Sequence, residues 1–183
     1  MKFIEAYLEK MRGGKEPPTR APWHEVFWSP LGAFIGIYSV YAIGHFQQLK
    51  LVDSLFLVGS FGASAVLLYG VPNSPFSQPR NLVGGHIVSA LTGVTCALLL
   101  VDIPEIAAAT AVAMALFFMH LTRTIHPPGG ATALIAVIGS ESIHSMSYKY
   151  ALTPIASGAV IMLVVAVLIN NLSPYRRYPQ YWF

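Results

Sequence analysis

Two short segments hold the residues with the most to offer chemically. One runs His126-Pro127-Pro128-Gly129-Gly130-Ala131-Thr132, the other Gly59-Ser60-Phe61-Gly62-Ala63-Ser64. Each joins hydroxyl side chains to glycine or proline, and the first adds an imidazole. A hydroxyl both donates and accepts hydrogen bonds, and an imidazole near neutral pH is a donor, an acceptor or a cation. Pro127 suits a helix start, where its missing N–H is not needed. Thr132 and Ser64 then fall in first turns. A helix start offers unpaired N–H groups and a partial positive charge. Two such starts meeting within a protein make a site for a small anion. On that reading His126 is a substrate contact or a proton-coupled gate; on a structural reading it caps the loop before Pro127. Pro127, Pro128, Gly129, Gly130 and Gly62 set the shape of the site and line it with backbone.

Other residues qualify by type. Arg80 and Arg123 are cations near the middle of the sequence, suited to drawing an anion to a cytoplasmic mouth or to anchoring a helix at headgroups. Asn81 caps the helix that follows it or touches substrate. His86 follows Gly84 and Gly85 in an apolar run, where a polar group faces the interior of a bundle. The six histidines are dispersed, and Cys96 is the only cysteine, so neither a metal site nor a cofactor is expected. No carboxylate pair falls in an apolar run, and no glycine-rich loop ends in lysine. Ser64 and His126 make a nucleophile–base pair only if their two segments face each other, so an enzyme is not expected.

The elements that must hold these residues are apolar. Of 183 residues, 55% are hydrophobic and 10% charged; soluble domains carry about 25% charged residues. That deficit of charge suits a lipid-facing surface. A net charge of +3, with the cations gathered near the ends, gives no footprint for nucleic acid. Four long apolar stretches run from about Pro30 to Phe46, Leu82 to Val101, Ile106 to Leu121 and Thr153 to Ile169. Each approaches the roughly 20 residues that cross a bilayer as helix. Two shorter stretches, Leu55 to Val71 and Gly129 to Gly139, carry the glycines and hydroxyls described above. The first 22 residues lack the apolar core of a signal peptide.

Cations weigh the topology. Six crossings with the N-terminus inside place nine of the eleven cations inside, and four crossings place seven there. The positive-inside rule favours six, with both termini cytoplasmic. Trp23, Phe27 and Trp28 before the first helix, and Tyr175, Tyr178, Tyr181 and Trp182 after the last, suit the headgroup level. Small residues four apart recur at Gly32 and Gly36, at Gly85, Ser89 and Gly93, and at Ala107, Ala111 and Ala115. They serve close helix packing within one bundle.

The short stretches also resemble each other. Residues 59–68 lie over residues 127–136 at an offset of 68, with Gly62, Ala63 and Ala65 identical to Gly130, Ala131 and Ala133. The expected fold is all-α: a polytopic membrane helix bundle of four long and two short, broken helices in an inverted 3+3 repeat. Repeat A covers about 30–101 and repeat B about 104–170, within a transmembrane domain at 25–172. A cytoplasmic segment at 1–24 precedes it and a cytoplasmic tail at 173–183 follows it.

The segment Ile125-His126-Pro127-Pro128-Gly129-Gly130-Ala131-Thr132-Ala133-Leu134 resembles the signature of the HPP family. The resemblance runs from about residue 25 through Gly59-Ser60-Phe61-Gly62-Ala63, Gln78-Pro79-Arg80-Asn81 and Gly84-Gly85-His86. It ends with Asn171-Leu172-Ser173-Pro174 and Arg177-Tyr178-Pro179. Family members are small integral membrane proteins, and plastid and cyanobacterial members are associated with nitrite transport. Some carry C-terminal CBS domains, which this chain is expected to lack. The resemblance implies a transporter or channel for a small monovalent anion, nitrite first, in a bacterial inner membrane or a plastid envelope. The expected partners are the lipid bilayer, the anion and other copies of the chain. A neutral-solute or cation channel and a non-transporting scaffold or regulatory subunit remain the alternatives.

Overall fold

The computed structural model describes residues 2–11, 17, 19–46 and 59–183. The expected beginning of the first short stretch, at Leu55, and the loop cation Lys50 lie outside these residues. The described chain is helical throughout its regular structure. Helix α1 covers Lys2–Lys10 and α2 covers Trp23–Phe46. Helix α3 is α-helical over 59–65 and passes into a π-helical turn at Val66–Gly70. Helix α4 spans Pro79–Leu99, α5 Pro104–Leu121, α6 Pro128–Ile138 and α7 Glu141–Met146. A segment at Ala151–Ala156, which leaves helical angles at Thr153 (φ −135°, ψ 109°), leads into α8 at Ser157–Leu172.

Among the described residues, three helices are long and apolar enough to cross a membrane: Pro79–Leu99, Pro104–Leu121 and Ala151–Leu172. Helix α2 has the length, at 24 residues, but mixes tyrosine, serine, histidine and proline among its apolar residues. It starts seven residues before Pro30, so that proline lies inside the helix, where the Val26 carbonyl goes without its helical N–H partner. Proline opens α4, α5 and α6 at the first helical position, where the absent N–H costs nothing. Helix α6, at 11 residues, rises about 16 Å, half the hydrocarbon core.

Small side chains are buried where helices touch, and many large apolar ones face outward. Ala107, Ala111, Ala115, Ala133, Ala159 and Ala166 are buried, whereas Phe34, Leu99, Phe117, Val164 and Leu168 are exposed. Lipid solvates the large apolar groups, and the small ones let helices approach. A Cβ on Gly93 would stand 2.4 Å from the Ala133 carbonyl oxygen, so α4 and α6 touch there backbone to backbone. Gly32 and Gly36 make room for the Tyr69 ring, and Gly158 for Phe61. Helix α4 packs on α5 and α6, while α8 packs on α2 and α3.

The tail is part of the fold. Tyr178, expected at the headgroup level, is buried, and its hydroxyl donates to the Ser77 carbonyl at 2.7 Å. A phenol that satisfies a buried carbonyl gains more there than at the interface. Gln180 N–H donates to Gln78 Oε1 at 2.8 Å. Arg176 reaches Glu25 through two nitrogens and bonds Ser29 Oγ and Asn170 Oδ1, each at 2.8 Å. Asn170 Nδ2 in turn donates to the Leu68 carbonyl at 3.1 Å. The residues after α8 thus strap the start of α2 to the end of α3 and to the loop before α4.

Candidate functional site

Five of the residues singled out by type meet in the middle of this bundle. Ser60 and Ser64 come from α3, His86 from α4, His126 from the loop before α6, and Thr132 from α6. All five have no exposed surface. Ser64 sits one turn after Ser60, so both hydroxyls point the same way. The loop at 124–126 lies against Gly85, where a Cβ would be 2.5 Å from His126 Cβ. That contact holds the imidazole over α4. Gly129 packs on Ser89 Oγ and the Gly85 carbonyl, which brings Thr132 within reach of His86.

The contacts form one continuous chain. Ser60 Oγ lies 3.1 Å from the Pro128 carbonyl and 2.7 Å from Thr132 Oγ1. Thr132 Oγ1 lies 2.8 Å from His86 Nδ1, and His86 Nε2 lies 2.8 Å from Ser64 Oγ. Ser64 Oγ lies 2.9 Å from His126 Nε2, and His126 Nδ1 lies 2.8 Å from the Phe76 carbonyl. Tyr150 Oη donates to the Thr132 carbonyl at 3.0 Å, which fixes the backbone of α6 beneath. Phe61 closes one side, its ring centroid 5.1 Å from that of His86.

The remaining candidates lie elsewhere or act through backbone. Pro128 contributes its carbonyl, and Pro127 is exposed at the helix cap. Gly62 and Gly130 meet no tight contact; nothing lies within 4 Å of a Cβ on Gly62. Asn81 Nδ2 donates to the Ile125 carbonyl at 2.8 Å, tying α4 to the residue before His126. Its Oδ1 and the Arg80 Nε are buried without a hydrogen-bond partner among the described residues. Arg123 is exposed at the end of α5, in a left-handed conformation (φ 56°).

One expectation is corrected. The first turn of α6 was to supply unpaired amides, but the Gly129 N–H donates to the His126 carbonyl at 2.8 Å and the Gly130 N–H to the Pro127 carbonyl at 3.0 Å. Pro127 and Pro128 have no N–H. The polar groups on offer are therefore hydroxyls and imidazoles. The start of α3 lies at the edge of the described residues, so the second expected set of amides falls outside them. Ser64 and His126 do face each other, as a nucleophile–base pair requires, but the same hydroxyl is shared with His86.

Phe76 and Tyr150 were not singled out. Phe76 takes part through its carbonyl, which no side-chain pattern reports. Tyr150 lies in a polar-looking stretch between α7 and α8.

Apolar helices long enough to span a bilayer, small residues at their contacts and a neutral polar centre define a multi-pass helical membrane protein. The chain belongs to the HPP transmembrane family: the family's transmembrane region matches residues 18–179. It is 46% identical over 99% of its length to one Dictyostelium discoideum protein, described only as a transmembrane protein, and covers 58% of that protein. A second D. discoideum transmembrane protein is 41% identical over 99% of the chain, which covers 65% of it. The chain thus spans about three fifths of the length of these relatives. No solved structure matches it.

Proposed function

We propose that this protein conducts a small monovalent anion across its membrane, nitrite being the first candidate, and that the hydroxyl–imidazole cluster is its gate and contact site. The observation that carries the reading is the meeting of α3 and α6 around Ser60, Ser64, His86, His126 and Thr132, all buried. Polar groups at the depth of apolar helices are costly and mark a path or a site. Broken helices facing each other near the middle of a bundle are a recurring plan for such sites. The swapped packing, with α4 on α5 and α6 and α8 on α2 and α3, is what two intertwined three-helix repeats would give. On this reading the repeats are inverted and both termini are cytoplasmic.

In the arrangement described here the cluster is closed, because every hydroxyl and imidazole is bonded to another member or to a carbonyl. An entering anion takes over the O–H and imidazole N–H donors that now satisfy one another. Arg80, at the start of α4, would hold the anion before entry, and Arg123 would add positive potential at the same mouth.

A second reading has one observation in its favour. With the first amides of α6 already bonded, the site is neutral and self-paired, which also suits a small uncharged solute. Flux into proteoliposomes separates the two. Nitrite, nitrate, chloride and formate are compared with urea, in wild type and in His126→Ala. Anion flux that falls about tenfold in the variant, with the protein still in the membrane, supports the anion reading. Urea flux without anion flux supports the second, and no flux of any solute rejects both.

A further inference from the structure

Hydrogen counting on the central cluster leads past a contact site for solute. The chain from the Pro128 carbonyl through Ser60, Thr132, His86, Ser64 and His126 to the Phe76 carbonyl contains six donor–acceptor contacts, all between 2.7 and 3.1 Å. With all groups neutral, three hydroxyls and two imidazoles bring five hydrogens. One contact must go without.

The position of the gap follows from the ends. A carbonyl only accepts, so His126 Nδ1 carries hydrogen and donates to Phe76. His126 Nε2 is then bare and accepts from Ser64. Ser64, its hydrogen spent, accepts from His86 Nε2–H. His86 Nδ1 is bare and accepts from Thr132, and Thr132 accepts from Ser60. The gap falls at Ser60 and the Pro128 carbonyl, the longest contact of the six at 3.1 Å. That carbonyl has a helical partner along α6 in any case. Moving the gap elsewhere would set two lone pairs against each other at 2.9 Å or less. The competing contacts, Ser64 to the Ser60 carbonyl at 3.3 Å and Thr132 to the Pro128 carbonyl at 3.5 Å, are longer.

We infer that the cluster is a binding site for one proton, which fills the sixth contact and is shared between His126 and His86 through Ser64. With the proton on His126, its Nε2–H donates to Ser64, Ser64 donates to His86 Nε2, and His86 Nδ1–H donates to Thr132. Thr132 then donates to Ser60, and Ser60 donates to the Pro128 carbonyl. Transfer to His86 moves one hydrogen from His126 Nε2 to Ser64 and another from Ser64 to His86 Nε2. Either way all six contacts are filled, and the charged ring makes two charge-assisted hydrogen bonds. Two protons fit poorly, because two charged rings would both donate to Ser64, with their centroids 4.9 Å apart, and its own hydrogen would be left with only the longer contact to the Ser60 carbonyl at 3.3 Å.

The surroundings bring no charge of their own. The two histidines meet Phe61 and Ser64 of α3, the Phe76 carbonyl of the loop before α4, Gly85 of α4, and Thr132 of α6. Tyr150, the one other titratable group at the cluster among the described residues, is held to the Thr132 carbonyl. No charged side chain is among the contacts of either ring in the described residues. The inference stands whether or not the protein conducts an anion. If it does, a proton and a monovalent anion together leave the site neutral.

The test is nitrogen NMR of histidine-labelled full-length chain in lipid bilayers, titrated from about pH 8 to the acid limit of the fold as judged by its helical signal. The neutral form should show Nδ1–H on His126 and Nε2–H on His86. Acidification should add one proton to the pair, with the two rings exchanging it. Ser64→Thr should keep the exchange and Ser64→Ala should abolish it. Nε2–H on neutral His126, two separate protonations, or two rings that stay neutral to the acid limit would each overturn the inference. The wild-type spectra decide this even if Ser64→Ala fails to fold, and they do so independently of any flux.

Discussion

Two polar networks cross this apolar bundle, and they are built from different chemistry. The central one uses hydroxyls and imidazoles, each of which both donates and accepts. The one at the tail uses Arg176, which only donates, and Glu25, which only accepts, with Ser29 and Asn170 filling in. A network of two-way groups has more than one satisfied arrangement of its hydrogens, whereas a network of fixed donors and acceptors has one. The first can change state at constant geometry, and the second can only hold or break. Polar groups buried in one bundle therefore do not all have one job, and donor–acceptor character sorts them.

The largest expected effect breaks the tail network. Arg176→Ala strips Glu25, Ser29 and Asn170 of their shared donor. The Arg176 side chain is 2% exposed and Glu25 24%. Removing one partner of such a pair costs about 3 kcal/mol, short of the full buried-pair penalty because Glu25 is partly wetted. We expect a fall in the melting temperature of the detergent-solubilised protein, with little folded material recovered. If the variant melts like wild type, the strap is not a structural clamp. Gly93→Ala comes next. The added methyl meets the Ala133 backbone, which has no rotamer to yield, so α4 and α6 must part at a cost of about 2 kcal/mol. The same thermal melt checks it, and an unchanged midpoint would show that these two helices do not touch as described.

Some of this was legible in the sequence. Paired prolines and Gly139 bracket α6 to within one residue at each end. The 68-residue offset that aligned the two short stretches also relates Ser60 to Pro128 and Ser64 to Thr132. Ser60 bonds the Pro128 carbonyl directly, and Ser64 and Thr132 are joined through His86. The small-residue spacings marked surfaces that the structure buries at Ala107, Ala111 and Ala115. What the sequence withheld has physical reasons. Glu25 and Arg176 are 151 residues apart, and each alone reads as an ordinary charge at a membrane edge. The Phe76 carbonyl is backbone and carries no residue-type signal, yet it sets the polarity of the whole cluster. The amides of α6 read as free because the sequence does not report that the turn before a helix can already bind them.

Thr132→Val tests the central network by itself. Valine keeps the shape of threonine but has no hydroxyl, so His86 Nδ1 loses its donor, while Ser60 keeps the Pro128 carbonyl at 3.1 Å. A buried acceptor left unpaired costs about 2 kcal/mol. Thr132→Ser restores the hydroxyl, so its stability and flux should return close to wild type. Flux lost in the valine variant and regained in the serine variant would tie conduction to the hydroxyl. Equal flux in all three would remove Thr132 from the path.

The smallest expected effect sharpens the contrast from the other side. Tyr178→Phe removes the hydroxyl that donates to the Ser77 carbonyl at 2.7 Å and leaves the ring in place. The loss should be about 1 kcal/mol, seen as a small drop in melting temperature. Because the strap clamps and does not switch, anion flux per folded protein should be unchanged, as should the histidine tautomers. Ser77 lies next to Phe76, whose carbonyl receives the His126 hydrogen bond, so the variant also probes whether the two networks are insulated. A shift in the His126 nitrogen signals of Tyr178→Phe would mean that the tail sets the position of the Phe76 carbonyl. The division between a clamp and a switch would then have to give way to a single linked system.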